Sequence, residues 1–130
     1  MGAPQNLNAI CNGSLDWHPN ASRFVGSGLS KNNVLFSYIA DWTGPGRWGI
    51  DLLTEKRRLI LKPLEKLSTI SLGSINSEEH ILNDTLDQNY KPGLYLQVEA
   101  FLSGTYENLC RIDQHQEYVS SYYKIAGYKC

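Results

Sequence analysis

The sequence has few cysteines and no long apolar run. Its 130 residues include three widely spaced cysteines, Cys11, Cys110 and Cys130. An odd number at such spacing does not form a disulfide framework, so we expect free thiols in a reducing cytoplasm. No apolar stretch approaches the roughly 20 residues of a membrane-spanning helix, and Met1 to Ile10 lacks the basic start and apolar core of a signal peptide. The sequence therefore predicts neither a membrane protein nor a secreted one.

The sequence also lacks an excess of charge of either sign. Twelve lysines and arginines oppose thirteen aspartates and glutamates, which leaves a net charge of −1. This balance gives no support to nucleic acid or an anionic membrane as the main partner. A hydrophobic content of 42% with 19% charged residues is typical of a folded globular protein. We expect residues 1–130 to form a single domain with its own core.

The first part of the sequence has the period of two that is typical of β-strands. Strands are predicted at Gln5–Asp16, Ala21–Leu29, Val34–Asp41, Gly49–Thr54, Arg58–Lys62 and Lys66–Leu72. Both faces of Val34–Asp41 are largely apolar, so this strand is predicted to be central and covered on both sides. Ser30-Lys31-Asn32-Asn33 predicts a tight turn before it, because asparagine tolerates the left-handed conformation.

Helical spacing appears later, and it predicts two main helices. The first is Leu94–Ser103, with Gly104 just past its end. The second begins at Asp113, with Gln116 in the capping-box position, and ends at Gly127.

A polar segment, Ser77 to Asn89, separates the predicted strands from the helices. Ser77 to His80 could open a short helix, but the stretch through Asn89 is polar and is predicted mostly as loop. Strands followed by helices indicate an α+β fold, here a largely antiparallel sheet of about six strands with two main helices packed on one face.

The segment Asp41 to Leu53 carries the side chains best suited to a ligand. Trp42, Arg47 and Trp48 flank a Gly-Pro-Gly turn, in which glycine supplies backbone freedom and proline fixes φ. Flat indole faces beside a guanidinium suit a polar, ring-shaped or anionic ligand. The alternative is a hairpin turn whose indoles pack into a core.

Motifs for catalysis, cofactor binding and metal binding are missing from the sequence. Gly44-Pro45-Gly46 lacks the third glycine of a dinucleotide-binding loop, and a strand pattern rather than a helix follows it. His18, His80 and His115 are far apart, and no Cys-x-x-Cys or His-x-x-x-His pair predicts a metal site. We therefore predict no catalytic residue, cofactor site or metal site within this chain.

Six segments together carry a resemblance to a known family. They are Gly2–Pro4, Asp41–Leu52, Arg58–Leu67, Tyr90–Tyr95, Glu99–Leu102 and Ile125–Tyr128. In this order they resemble the carboxy-terminal domain of the Gfo/Idh/MocA oxidoreductases, the glucose–fructose oxidoreductase and inositol dehydrogenase type. Where relatives often have a Gly-Thr-x-Gly turn, this sequence has Thr54-Glu55-Lys56-Arg57. In that family an amino-terminal Rossmann domain binds NAD or NADP, and a Glu-Lys-Pro motif supplies a catalytic lysine; this sequence contains neither element.

The resemblance implies the substrate-binding and oligomerisation domain of a nicotinamide-dependent sugar or polyol oxidoreductase, inactive as this chain alone. It implies three partners: a Rossmann domain carrying NAD or NADP, a small sugar or polyol substrate, and further copies of the chain through the sheet. The implied substrate-binding residues are Trp42, Arg47, Trp48, Lys91 and Tyr95. The alternative is a free-standing, non-enzymatic module that binds a small polar ligand or dimerises through its sheet.

Overall fold

The computed structural model describes residues 3–128, so Gly2 and Cys130 lie outside the described residues. The strands are β1 (Pro4–Asn12), β2 (Arg23–Ser30), β3 (Leu35–Asp41), β4 (Ile50–Leu53), β5 (Arg57–Leu61), β6 (Leu67–Ser71) and β7 (Glu78–His80). The helices are α1 (Thr85–Asn89), α2 (Tyr95–Ser103), α3 (Ile112–Glu117) and α4 (Val119–Ala126), with a 3₁₀ turn at Tyr106–Asn108. All strand pairs are antiparallel, which confirms the α+β prediction.

The chain forms two compact units, and the strands divide between them rather than forming one sheet. The first unit comprises the chain up to Pro45 together with the part from Cys110 onward; the second is Gly46–Leu109. The first unit contains a three-stranded sheet in the order β1-β2-β3, and the second contains a four-stranded sheet in the order β4-β5-β6-β7. The six predicted strands correspond to β1–β6, and β7 is the additional one.

The β2–β3 turn forms as its sequence predicts. Asn33 has φ 61°, and its backbone N–H donates to the Ser30 carbonyl over 2.9 Å. The prediction for β3 itself is wrong on two points: β3 is an edge strand, with β2 in the centre, and Leu35 and Ile39 are exposed. Ladder pairing beyond β3 is interrupted because the segment after Asp41 forms a turn and then irregular chain, so the next strand begins a second sheet.

Helix α4 packs against the sheet of the first unit. The Cys11 thiol donates to the Ile125 carbonyl over 3.2 Å, which joins β1 to the helix. Gly127 ends the helix with φ 76°, and the Tyr128 N–H donates to the Tyr123 carbonyl over 2.9 Å. This is a glycine-based helix end of the Schellman type, as predicted for Gly127.

The predicted start of the last helical segment is wrong. Helix α3 begins at Ile112, and the Arg111 N–H donates to the Gln114 side chain over 3.1 Å. Asp113 pairs instead with the Arg111 guanidinium at 3.0 Å. Because the N-cap residue is Arg111, position N3 is Gln114, and Gln114 rather than Gln116 supplies the reciprocal capping bond.

Two predictions for the polar segment of the second unit are also wrong. Glu78–His80 is the strand β7 rather than a helix, and Thr85–Asn89 is a helix rather than a loop. Strand β7 gains ladder partners along β6, and His80 Nε2 lies 2.7 Å from the Thr69 hydroxyl. These partners decide the conformation where the sequence has no hydrophobic period.

Few side chains are buried. Within residues 3–128 the buried ones are Ala21, Phe24, His18, Ser22, Ser30 and Thr69. The accessible surface of the chain is 10762 Å². Two separate globular domains, each with half the mass of the chain, would together expose about 8,400 Å². Helix α2 buries none of its side chains. No helix among the described residues combines the length and apolar character needed to cross a bilayer.

Candidate functional site

The five predicted site residues fall into both units of the chain. Trp42 belongs to the first unit, whereas Arg47, Trp48, Lys91 and Tyr95 belong to the second. Each group has its own local surroundings within its unit.

Arg47 and Trp48 are both exposed on the irregular segment that precedes β4. The Trp48 side chain is 74% exposed, so this indole is not part of a core. The nearest carboxylate oxygen to the Arg47 guanidinium is that of Glu65, at 3.9 Å, which is a loose ion pair. Both side chains are available to a ligand.

Lys91 opens a tight turn that leads to Tyr95 at the start of α2. The Leu94 N–H donates to the Lys91 carbonyl over 3.1 Å, and Gly93 has φ 76°, as position three of a type II turn requires. The Gly93 N–H also donates to the Asp87 carboxylate over 3.0 Å, which fastens the turn to α1.

Tyr95 lines an apolar groove along α2. Its ring contacts that of Tyr90, with centroids 4.7 Å apart. The groove encloses about 620 Å³ and is lined by Tyr90, Leu94, Tyr95, Val98, Glu99, Leu102 and Ser103. Because most of this lining is apolar, the groove suits an apolar surface better than a polyhydroxyl ligand.

Trp42 lies in a stack of aromatic rings at one end of the first unit. Its indole lies between that of Trp17, at 5.2 Å and an interplanar angle of 13°, and the buried ring of Phe24, at 4.7 Å. The imidazole of His18 meets Trp42 edge-on at 5.2 Å and the ring of Tyr128 at 5.3 Å. We call Trp17, Trp42 and Phe24 the aromatic stack.

The loop between β1 and β2 holds Trp17 in this stack. Leu15 and His18 exchange two backbone hydrogen bonds of 3.0 Å, which close a tight turn around Trp17. His18 is buried, and its Nδ1 lies 2.7 Å from the Ala21 carbonyl. Since a carbonyl can only accept, Nδ1 carries a proton there. The backbone N–H of Trp42 donates to the Ser22 carbonyl over 2.9 Å, which ties the chain at Trp42 to the end of this loop.

Trp17 was not among the predicted site residues; it lies in the gap between the predicted strands Gln5–Asp16 and Ala21–Leu29. The missing signal was topological. In an antiparallel meander, the β1–β2 loop and the chain that leaves β3 lie at the same end of the sheet. Trp17 and Trp42 are therefore neighbours although 25 positions separate them in the numbering.

The sheet of the first unit presents an apolar row on the face opposite α4. The register places Ile10 beside Val25 and Val25 beside Ile39, and all three side chains are exposed. The next row, Asn8, Ser27 and Ser37, is polar. We call the Ile10–Val25–Ile39 row, with the exposed Leu35 of β3, the open sheet face. An apolar centre beside polar positions is the composition of a protein interface.

Charged pairs of the chain are exposed and serve local structure. The Thr43 hydroxyl and N–H donate to Asp41 over 2.6 and 2.9 Å, and Arg23 lies 3.2 Å from it; these bonds hold the pKa of Asp41 below its ordinary value. In the second unit, hydrogen bonds from Arg58 likewise lower the pKa of Asp51. Each carboxylate is therefore kept ionised and hydrogen-bonded to its neighbours, which makes it unsuited to proton transfer.

Metal-binding geometry is not found among the described residues: no three His, Cys, Asp or Glu side chains there converge on one point. The features that a ligand or a partner could use are the aromatic stack, the open sheet face, the exposed Arg47–Trp48 pair and the groove beside Tyr95. In comparison with known proteins, the chain matches no family model, no curated protein and no solved structure.

Proposed function

We propose that this chain is the substrate-side and oligomerisation domain of a nicotinamide-dependent sugar or polyol oxidoreductase of the Gfo/Idh/MocA type. The observation that carries the proposal is the open sheet face. Ile10, Val25 and Ile39 form a continuous apolar row across three strands, and each remains exposed. An exposed apolar row of this kind, on the face of the sheet that α4 leaves open, suits contact with another protein surface.

A second copy of the chain is the partner that this face suits. A two-fold interface brings the same patch of each copy together, so an apolar row faces an apolar row and polar rows lie along its side. Two sheets stack face to face at about 10 Å, with their side chains interdigitating. The short side chains of Ser27 and Ser37 beside the row leave room for such an approach.

In the complete enzyme the chemistry would be divided. The Rossmann domain would bind NAD or NADP and supply the reacting hydride and the proton-transferring groups. This chain would position the sugar or polyol through exposed side chains such as Arg47 and Trp48. Holding substrate against cofactor is the protein's share of hydride transfer.

Sedimentation velocity of the chain over a concentration series tests the oligomerisation proposal. We expect reversible self-association whose extent rises with concentration. A single species with the mass of one chain at every concentration would contradict it.

A free-standing binding module is the second candidate function. The apolar groove beside Tyr95 favours it, because such a groove can receive an apolar segment of another protein without any nucleotide-binding domain. The two candidates differ in whether the working protein contains a nicotinamide site. A Rossmann-coding region in frame before this sequence in the genome would favour the oxidoreductase.

A further inference from the structure

The end of β1 brings a backbone nitrogen against a side-chain amide. The Gly13 N–H donates to the Asn12 Oδ1 over 2.6 Å. A carbonyl bond is about 1.23 Å long, so the Gly13 nitrogen lies within about 3.8 Å of the Asn12 Cγ. Both residues are exposed, so water reaches them. This nitrogen and this carbon are the two atoms that join when an asparagine side chain closes a five-membered succinimide ring on the following residue.

The fold requires glycine at position 13, and this requirement keeps the nitrogen accessible. Gly13 has φ 78°, a conformation that other residues seldom adopt. A Cβ atom on Gly13 would also lie 2.2 Å from the Oγ of the buried Ser22. Side-chain bulk on the following residue is the usual steric barrier to succinimide formation. Because position 13 has no side chain, this barrier is removed.

We propose that Asn12 is a site of spontaneous deamidation. The Gly13 nitrogen gives up its proton to water and bonds to the Asn12 Cγ. The bond from Cγ to the side-chain nitrogen breaks, and that nitrogen takes up a proton and leaves as ammonia. One water molecule then opens the ring at either of its two carbonyls, which yields aspartate or isoaspartate at position 12. Water is the only reactant consumed.

The carboxylate formed at position 12 joins a charged row of the sheet. The register places Asn12 opposite Arg23, and Arg23 opposite Asp41, so the three residues share one face. The Arg23 Nε lies 3.2 Å from the Asp41 carboxylate. Aspartate at position 12 therefore gives this guanidinium a carboxylate on each side. Isoaspartate instead lengthens the main chain by one carbon where the pairing of β1 with β2 ends.

The modification is independent of the proposed oxidoreductase role, because it requires neither self-association nor a nicotinamide cofactor. Asn76 supplies an internal reference for it. Like Asn12, this asparagine is exposed and precedes a small residue, here Ser77. Ser77 differs from Gly13 in carrying a side chain.

Incubation of the whole chain in H₂¹⁸O at mildly alkaline pH tests the proposal, because ring opening in this solvent labels the new carboxylate. Digestion in ordinary water and mass spectrometry then follow the peptides that contain residues 12 and 76. Asn12→Asp provides the standard for the aspartate product, and a protein isoaspartate methyltransferase detects the other one. Asn12→Gln is the control, since glutamine would have to close a six-membered ring, which is much slower.

We expect Asn12 in the folded chain to be converted at least several-fold faster than Asn76, and into both products. The intact chain should acquire a more acidic form on ion exchange, and Asn12→Gln should not acquire it.

Three outcomes would overturn the proposal. Equal conversion of Asn12 and Asn76 would mean that the Gly13 geometry has no effect. Conversion of Asn12 only after unfolding in urea would mean that the end of β1 prevents ring closure. The same acidic form in Asn12→Gln would place the modification elsewhere in the chain. If Asn12→Gln fails to fold, the labelled wild-type peptides still decide the matter.

Discussion

The backbone of Gly127 lies directly against the side chain of Cys11. A Cβ atom placed on Gly127 would be 3.3 Å from the Cys11 Cβ and 3.4 Å from its Sγ, closer than most such contacts in proteins. The Cys11 thiol also donates to the Ile125 carbonyl of the preceding turn. The end of α4 and strand β1 are thus fitted to each other through two small residues.

A Gly127→Ala substitution is therefore expected to destabilise the first unit. The alanine would be held at φ 76°, and its methyl group would also press on Cys11. The left-handed conformation alone costs about 1–2 kcal/mol for a non-glycine residue. Gly104→Ala is the matched control, because φ is 73° there and the only neighbour of the added Cβ is the Tyr106 hydroxyl at 3.9 Å.

Chemical denaturation of the two variants measures the difference. Gly127→Ala should lower the free energy of unfolding by more than Gly104→Ala does, and the excess reports the contact with Cys11. Equal losses of unfolding free energy in the two variants would mean that the end of α4 moves away from β1 without destabilising the fold.

The Arg58–Asp51 pair predicts a pH effect in the second unit. Hydrogen bonds from Arg58 lower the pKa of Asp51 in the folded chain. A carboxylate with a lowered folded pKa stabilises the fold above its unfolded pKa, and this contribution is lost as pH falls through the folded value. Both side chains are substantially exposed, so the effect on stability is small and the pKa itself is the better readout.

Carboxyl ¹³C NMR titration of Asp51 checks this effect. Arg58→Gln should raise the pKa of Asp51 toward the ordinary value of 3.8. Arg57→Gln is the control, since the side chains of neighbouring positions on a strand point to opposite faces. If both variants shift Asp51 equally, the hydrogen bonds are not the cause.

Nicotinamide binding separates the two candidate functions. The oxidoreductase proposal assigns the cofactor to the Rossmann domain, so this chain alone should not bind NADH. Energy transfer from tryptophan to added NADH, followed by fluorescence, measures it. Saturable transfer would show that the chain has a nicotinamide site of its own, against the proposed division of the chemistry.

The sequence predicted those elements of the fold that depend on the local pattern of residues. The period of two located β1 to β6, Asn33 located the β2–β3 turn, and Gly127 located the end of α4. Strand β7 was not predictable in this way, because Glu78–His80 is polar and becomes a strand only by pairing with β6.

The candidate site was predictable only in part, for a related reason. Trp42 and Arg47 were predicted as ligand-binding residues because they flank the same Gly-Pro-Gly turn. The neighbour that completes the environment of Trp42 is Trp17, and it is brought there by the turn of an antiparallel sheet. The exposure of Ile39 could not be predicted either. Alternation of residues along a strand shows that one face is apolar, but it does not show whether another part of the protein covers that face.

A pair of isoleucine variants tests whether the chain self-associates through the open sheet face. Ile39 and Ile75 are 84% and 94% exposed, so replacing either by lysine should leave the fold intact. Ile39→Lys would place a charge in the proposed interface, whereas Ile75→Lys lies outside it. In sedimentation velocity we expect the wild type and Ile75→Lys to associate alike, and Ile39→Lys to associate at least about tenfold more weakly, a loss of about 1.4 kcal/mol. Unchanged association of Ile39→Lys would contradict the account.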